Sequence, residues 1–122
     1  MAGGLSDIYP AKNRNLASQI VEKGAIITEF PVSTKPVAQN FPLRNRIISG
    51  VSSGIIVIEA GDKSGALITA NYAIEQNREL FAVPGPVDSS FFVGTNRLIQ
   101  KGHAKLIMDA ADILEELDTS FK

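Results

Sequence analysis

The chain has 122 residues, no cysteine, and 12 basic against 13 acidic side chains, for a formal net charge of −1. The missing cysteines exclude a disulfide framework and a thiolate metal site, and the charge excludes a protein that coats nucleic acid by charge alone. Residues 109–122 hold five acidic side chains and one basic one, so residues 1–108 hold 11 basic against 8 acidic ones, a distribution compatible with a polyanion on one face.

The N-terminal third predicts a helix, a short buried strand and a loop, over residues 11–23, 25–28 and 29–39. The apolar side chains on one side of that helix are Leu16, Ile20 and Val21, at helical spacing. Gly3 and Gly4 come almost at the start, where a glycine pair normally follows a strand, so a preceding strand is expected to be missing. The start lacks the basic and apolar segments of a secretory signal, and no run reaches membrane-spanning length, which predicts a soluble cytoplasmic protein without membrane contact.

Residues 40–50, with the sequence NFPLRNRIISG, combine two arginines and two asparagines with an apolar run. They lie in the longest acid-free window of the chain, between Glu29 and Glu59. A polyanion site needs such a window, because a carboxylate would repel phosphate and compete for the guanidinium groups. The stretch is therefore predicted to bind an anion.

A helix is predicted over residues 42–51, because Pro42 suits its first position and biases Phe41 toward extended geometry. When this helix is projected at 100° per residue, the members of its apolar arc are Leu43, Ile47, Ile48 and Val51. Asn45 and Arg46 lie outside the arc, and Arg46 is expected to face the ligand.

Arg44 falls inside the apolar arc, and a buried arginine needs a partner. The partner is either a carboxylate, of Glu29 or Glu59, or a ligand phosphate that the planar guanidinium grips with two hydrogen bonds. If the helix begins later, Arg44 is instead a solvated loop residue. At the start of the first helix, Lys12, Asn13 and Arg14 form either a basic rim or an ordinary solvated face.

The rest of the chain alternates short apolar strands with helices, which predicts a parallel sheet with right-handed crossovers. The predicted strands cover residues 55–58, 80–83 and 105–108, and the predicted helices cover residues 65–77, 94–101 and 109–117. The strand over residues 55–58 consists of β-branched residues throughout, which indicates burial on both faces. Ligands of such sheets bind beyond the carboxyl ends of the strands, where the polar segments are residues 28–31, 59–65 and 84–96. The buried side of the last helix is expected to hold Ile113, Leu114 and Leu117.

Two of these helices begin directly after a polar segment. Ser64 is the expected N-cap of the first of these helices. The free backbone N–H groups at the start of that helix, beside Gly65, would bind phosphate, and Thr69 would add a hydroxyl from the next turn. These residues alone favour a simple capped helix with small side chains for tight packing. Residues 94–97 open the second helix, where a cap is again favoured.

Fingerprints of nucleotide-binding and catalytic sites are absent from the sequence. There is no G-x-G-x-x-G, no P-loop, no nucleophile elbow and no cluster with metal-ligand spacing. Glu29 and Glu59 are the only carboxylates at predicted strand ends, and His103 has no catalytic companion. The sequence therefore predicts no catalytic residue, no metal and no cofactor.

The combination of motifs resembles the DNA-processing protein A (DprA/Smf) family. The matching stretches run nearly from end to end and are residues 3–5, 9–10, 13, 41–50, 59–60, 64–70, 81–85, 94–96, 98–99, 102 and 104–106. The resemblance implies an α/β fold, a Rossmann-like three-layer αβα domain with a mostly parallel sheet over residues 1–122, incomplete at its N-terminal side. The family's upstream Gly-Ser-Arg and Ser-Gly-x-Ala-x-Gly motifs and its C-terminal winged-helix domain are not in this sequence, so half of the family's pocket is expected here.

The resemblance further implies a cytoplasmic single-stranded DNA-binding protein that is not an enzyme. Such proteins protect incoming single strands and help load the RecA recombinase during natural transformation, and they form homodimers. The residues assigned to DNA and its phosphates are Arg44, Asn45, Arg46, Asn40, Phe41, Ser64, Gly65, Thr69, Lys12 and Asn13, with Tyr9 and Pro10 at the pocket edge. Residues 96–106 are expected to make the dimer contact.

Two other functions are compatible with the sequence. One is a nucleotide-processing enzyme of the nucleoside-monophosphate phosphoribohydrolase type, whose glycine-rich helix start is similar, although residues 84–86 lack its Pro-Gly-Gly-x-Gly-Thr-x-x-Glu signature. The other is an interaction module that dimerises or holds RecA. Some family members carry basic residues at the positions of Ala11 and Ala38, for which Lys12 and Lys35 would substitute.

Overall fold

A computed structural model describes residues 1–120 of the chain. A 3-10 helix over Ala11–Asn13 precedes the main elements, which in chain order are α1 (Arg14–Lys23), α2 (Asn40–Gly50), β1 (Gly54–Val57), α3 (Gly65–Glu75), β2 (Glu79–Ala82), α4 (Val93–Gln100), β3 (Lys105–Leu106) and α5 (Ala110–Ser120). The chain forms two compact units, Met1–Arg44 and Asn45–Lys122, and the boundary between them falls inside α2. None of the helices in residues 1–120 is long and apolar enough to cross a membrane.

The second unit contains a parallel sheet, whose strand order over the described residues is β1-β2-β3. Ile55 lies opposite Leu80 and Val57 opposite Ala82, so apolar side chains meet across the first pair of strands. The core around the sheet consists of Val57, Ala60, Ala70, Ala73, Leu80, Ala82, Leu98 and Ala104. Most of these side chains are small, which lets the helices pack closely on the strands. The expected α/β class with a parallel sheet is confirmed.

β1 lies at one edge of this sheet, and its two faces differ. Val57 is buried, whereas Ile56 is 45% exposed and Ile58, just past the strand, is 67% exposed. Alternate residues of a strand point to opposite faces, so this pattern is that of a sheet covered on one side. The expectation that residues 55–58 are buried on both faces is therefore wrong, because a β-branched run indicates a strand but not what covers it.

The helix expected over residues 11–23 is present as the 3-10 turn followed by α1, but the strand expected over residues 25–28 is wrong. That segment has no regular secondary structure, and its carbonyl and hydroxyl groups make separate hydrogen bonds. The Met1 amino group donates to the Ile27 carbonyl at 2.6 Å, and the Thr28 hydroxyl donates to the Gly3 carbonyl at 2.8 Å. A strand requires a continuous ladder with a neighbour, and these separate bonds do not make one. The polar segment at residues 28–31 consequently does not follow a strand.

α2 begins two residues earlier than expected. Asn40 and Phe41 donate their N–H groups to the carbonyls of Val37 and Ala38, at 2.9 and 3.3 Å, which winds the chain into helical geometry before Pro42 is reached. Pro42 is then the third helical residue, where a helix does not yet need a backbone donor. Phe41 is therefore helical, and the expectation of extended geometry there is wrong.

The expected apolar arc of α2 is not its buried face. Val51, just past the helix, is 72% exposed, and Leu43 and Ile48 are also exposed, whereas Ser49 is fully buried. A helix can pack through a small residue when its neighbour approaches closely, and the periodicity of apolar residues does not reveal which neighbours are present. The expected burial of this arc is wrong for Leu43, Ile48 and Val51, whereas Ile47 is half-buried.

The later helices agree more closely with expectation. Ser64 is the N-cap of α3, and its hydroxyl accepts a hydrogen bond from the Ala66 N–H at 3.3 Å, as expected. α3 ends two residues before the expected boundary. Asn77 has a φ of +53°, which turns the chain into β2.

α5 is held at its start by two aspartates. The Asp109 carboxylate accepts from the N–H groups of Ala111 and Asp112, and the Asp112 carboxylate accepts from those of Met108 and Asp109. These backbone hydrogen bonds hold the pKa of Asp112 below its usual value. Leu114 is 61% exposed, so its expected place on the buried side of α5 is wrong.

Candidate nucleic-acid interface

An aromatic and cationic cluster lies in the first unit. The Tyr9 and Phe41 rings meet edge to face, with centroids 6.1 Å apart and planes at 72°. The Arg44 guanidinium lies over the Phe41 ring, 5.7 Å from its centroid. Phe41 and Arg44 are three residues apart in α2, which places them on neighbouring turns of one side. Aromatic faces stack on nucleobases, and a guanidinium grips phosphate, so the cluster carries both functions of a single-strand site.

The electrostatic surroundings of Arg44 include a carboxylate and an amino group. Burial lowers the pKa of the Met1 amino group, and the positive charge of Arg44 lowers it further, whereas Glu29 raises it. Arg44 and Glu29 thus both lie within electrostatic reach of the same amino group.

Asn40 is buried, and its side-chain amide donates to the Ala2 carbonyl at 3.0 Å. The amide therefore joins α2 to the start of the chain, and its expected role toward DNA stays a prediction. Lys12 is exposed in the 3-10 turn. Asn13 is half-buried, and its N–H donates to the Pro10 carbonyl at 2.9 Å.

In the second unit, the start of α3 follows β1 through the polar segment at residues 59–65. Ser64 caps the helix, and Gly65 is exposed, with open space where a Cβ atom would stand. Thr69 is half-buried one turn further on. The Arg97 guanidinium pairs with the Asp62 carboxylate of the same segment. The capped-helix interpretation of Ser64 is confirmed, and the exposed Gly65 leaves space beside the cap.

Asn45 and Arg46 lie on α2 in the second unit, where Asn45 is half-buried and Arg46 is exposed. The Arg46 carbonyl accepts a hydrogen bond from the side-chain amide of Gln76 at 2.9 Å. The guanidinium of Arg78 donates to the carbonyl of Gly50 at the end of the helix. Sequence reasoning missed Gln76 and Arg78, because nothing local to either residue shows that it reaches a helix 28 or 30 positions earlier.

At the start of α4, Asn96 braces the loop that follows β2, and Gly94 lies against the segment that follows β1. The Asn96 side chain accepts from the Gly85 N–H at 3.1 Å and donates to the Gly85 carbonyl at 2.9 Å. The Gly94 N–H donates to the Ala60 carbonyl at 2.7 Å, and a Cβ atom on Gly94 would lie 2.7 Å from that same oxygen. This glycine is required because the backbones approach so closely.

α4 itself begins at Val93, with Phe92 at the N-cap position and no side-chain cap. The Thr95 hydroxyl donates to the Phe92 carbonyl at 3.1 Å instead of accepting from a helix N–H. The expectation that Gly94 and Thr95 cap the helix is therefore wrong, because both lie within its first turn, where the Gly94 N–H donates to Ala60 and the Thr95 hydroxyl donates to Phe92.

Asn96→Ala is expected to destabilise the fold by about 2 kcal/mol, because both backbone groups of Gly85 would lose their partners. Urea unfolding followed by circular dichroism measures the change. The matched control is Asn71→Ala, which removes an exposed asparagine from α3 and is expected to alter the stability by less than about 0.5 kcal/mol. Equal losses in the two variants would contradict the bracing role of Asn96.

The model of the DNA recombination-mediator protein A family matches residues 1–118. The chain belongs to this family. Its sequence is 50% identical over 117 residues to DNA processing protein DprA of Bacillus subtilis (strain 168), covering 96% of this chain and 39% of the relative. It is 46% identical over 118 residues to protein Smf of Escherichia coli (strain K12), covering 96% of this chain and 31% of the relative. The chain thus spans well under half the length of these relatives, and the resemblance seen in the sequence is confirmed.

Solved structures of DNA processing protein A are also similar. The structure from Streptococcus pneumoniae matches with a TM-score of 0.85 and 39% identity, over 94% of this chain and 40% of that one. A structure that addresses the single-stranded DNA binding mode of DNA processing protein A from Helicobacter pylori matches with a TM-score of 0.83 and 29% identity, over 98% of this chain and 54% of that one.

The structure brings some of the expected site residues together within each unit. Phe41 and Arg44 come together in the first unit, and Ser64, Gly65 and Thr69 lie together at the start of α3 in the second. Within residues 1–117 the structure contains no group of three or more histidine, cysteine, aspartate or glutamate side chains that could hold a metal ion.

Proposed function

We propose that this chain is a single-stranded DNA-binding module of DNA processing and recombination, and that it is not an enzyme. The observation that carries the proposal is the Arg44 guanidinium over the Phe41 ring, with Tyr9 at the ring's edge. A single strand offers unpaired bases for stacking and a phosphate for the guanidinium, whereas a duplex hides its base faces. The likeness to a structure that addresses single-stranded DNA binding supports the same choice.

The charges carried by α2 itself favour a phosphate backbone. No carboxylate occurs between Glu29 and Glu59, so the residues of α2 add no negative charge beside their two arginines. The proposed contacts are Arg44, Asn45, Arg46, Ser64, Gly65, Thr69, Asn40, Lys12 and Asn13 with the phosphates, and Phe41 with a base. For Asn40, whose amide donates to Ala2, the proposed contact uses its remaining acceptor capacity.

The wider role proposed for the chain follows from its family. It acts in the cytoplasm as one domain over residues 1–122, protects incoming single strands, and helps load the RecA recombinase in natural transformation. It forms a homodimer through residues 96–106, a segment in which the Leu106 side chain is exposed. Size-exclusion chromatography of the chain alone and with RecA tests these associations. Elution as a monomer that does not shift with RecA would overturn this wider role.

The binding of a fluorescently labelled oligo-dT, followed by anisotropy, tests the central proposal. Affinity is expected to fall as salt rises, with a log–log slope of about −0.7 per phosphate that the protein neutralises. A duplex of the same length is expected to bind more weakly, because its bases are not available for stacking. If the chain does not bind oligo-dT at low salt, the proposed function is wrong.

The non-enzymatic part of the proposal has its own test. Purified chain is incubated with AMP or CMP, and release of the free base is measured. Sustained turnover by the pure protein would favour the phosphoribohydrolase alternative over a binding module.

A further inference from the structure

Two side chains of the turn between α3 and β2 hold the last turns of α2. The Gln76 amide donates to the Arg46 carbonyl at 2.9 Å, and the Arg78 guanidinium donates to the Gly50 carbonyl. The last four carbonyls of a helix have no partner within the helix, and Gly50 is among them. A positive charge at this end also interacts favourably with the helix dipole. All four residues belong to the second compact unit.

The backbone of the turn is itself fixed, so the two side chains start from defined positions. The Gln76 N–H donates back to the carbonyls of Tyr72 and Ile74, and the Arg78 N–H donates to the Ala73 carbonyl at 2.8 Å. Between them, Asn77 adopts a φ of +53°. The Gln76 side chain therefore projects from a rigid corner toward α2.

The amide of Gln76 lies against the helix at a cost in free energy. A Cβ atom on Gly50 would lie 3.7 Å from both terminal atoms of Gln76, so the amide packs directly against this glycine. Its oxygen is buried, and the described residues offer it no hydrogen-bond partner. An unpaired buried oxygen is destabilising, so stability alone would favour an apolar side chain here. The same amide does contribute the hydrogen bond that it donates to the Arg46 carbonyl.

We propose that Gln76 and Arg78 are positioning residues, which fix the α2 backbone so that the exposed Arg46 side chain meets a phosphate of a single strand. The inference rests on the proposed function, because it assigns a supporting pair to Arg46, one of the proposed DNA contacts. Gln76 acts through the carbonyl of the arginine itself. Arg78 fixes the end of the same helix one turn later.

A double-mutant cycle in the full 122-residue chain tests this proposal, with oligo-dT binding as the readout. Gln76→Met keeps the size of the side chain and removes its donor without adding charge. Alone, it is expected to weaken binding roughly threefold to tenfold, the range that one hydrogen bond contributes. With Arg46→Ala already present, it is expected to change binding less than about twofold, because the group that it positions is gone. The matched control is Gln19→Met, at an exposed position of α1.

Amide hydrogen exchange without DNA supplies an independent readout. Gln76→Met is expected to raise exchange over residues 46–52, and Arg78→Met is expected to do the same, whereas Arg78→Lys keeps a donor and restores protection. Unchanged exchange in both methionine variants would overturn the proposal.

The outcomes separate this proposal from the proposed function. If wild-type chain binds oligo-dT and Arg46→Ala weakens it but Gln76→Met does not, only the positioning role is wrong. If Gln76→Met weakens binding by the same factor in both backgrounds, Gln76 is a general stabiliser and the positioning role is again wrong. If Arg46→Ala leaves binding intact, Arg46 is not a contact and there is nothing for Gln76 to position. If wild-type chain does not bind oligo-dT, the proposed function fails first.

Discussion

Arg44→Ala is expected to weaken the binding of single-stranded oligo-dT roughly tenfold to a hundredfold. The guanidinium lies 5.7 Å from the centroid of the Phe41 ring, where it can hold a phosphate beside a stacked base. A hydrogen bond to a charged group contributes about 1.5–3 kcal/mol, which sets this range. The slope of log affinity against log salt should become shallower by about 0.7, the share of one phosphate. Anisotropy titrations at four salt concentrations measure both effects.

Two companion variants show whether the effect is specific. Arg44→Lys keeps the positive charge but loses the planar fork and its stacking on Phe41, so its affinity should lie between those of wild type and Arg44→Ala. Lys23→Ala removes a charge from the exposed last turn of α1 in the same unit, and it should alter affinity less than about twofold. Equal losses from Arg44→Ala and Lys23→Ala would mean that overall charge drives binding, and the assignment of Arg44 would be wrong.

Gly4→Ala is expected to destabilise the first unit by about 3 kcal/mol or more. The added Cβ atom would lie 2.1 Å from the Val32 carbonyl oxygen and 2.2 Å from that of Pro31. The backbone at Gly4 cannot withdraw easily, because its N–H donates to the Thr34 carbonyl at 2.8 Å. Urea unfolding, followed by the amide signals of residues 1–44, measures the loss.

Gly24→Ala is the matched control for that change. It adds the same methyl group in the same unit, but the nearest atom, the Ile20 carbonyl oxygen, is 3.5 Å away, and the φ of −164° suits any residue. Its expected effect is within about 0.5 kcal/mol. If Gly4→Ala unfolded at the same urea concentration as wild type, the close approach of residues 4 and 31–34 would be wrong.

The strands and most helices of the second unit were predictable because their signals are local. A β-branched run, a serine before a helix and a proline pair after a strand each act over a few residues. β1, α3 and β2 accordingly lie within two residues of the expected boundaries.

The errors occur where the outcome depends on a distant neighbour. Residues 25–28 have the composition of a strand but no ladder, and Val51 has an apolar side chain but is exposed. The same limit applies to the candidate site. The sequence singled out Phe41 and Arg44, but their stacking depends on the helical geometry that begins at Asn40, which the expected boundary excluded. Gln76 and Arg78 were missed because their partners are distant in the sequence.

The two side chains that complete α2 also set an order of events during synthesis. Gln76 follows Arg46 by 30 residues, and Arg78 follows Gly50 by 28. When the ribosome has made α2, the donors for its last turns do not yet exist, and they become available only after α3 and the start of β2 have been translated. The helix that carries both arginines is therefore completed by a part of the chain that is made later.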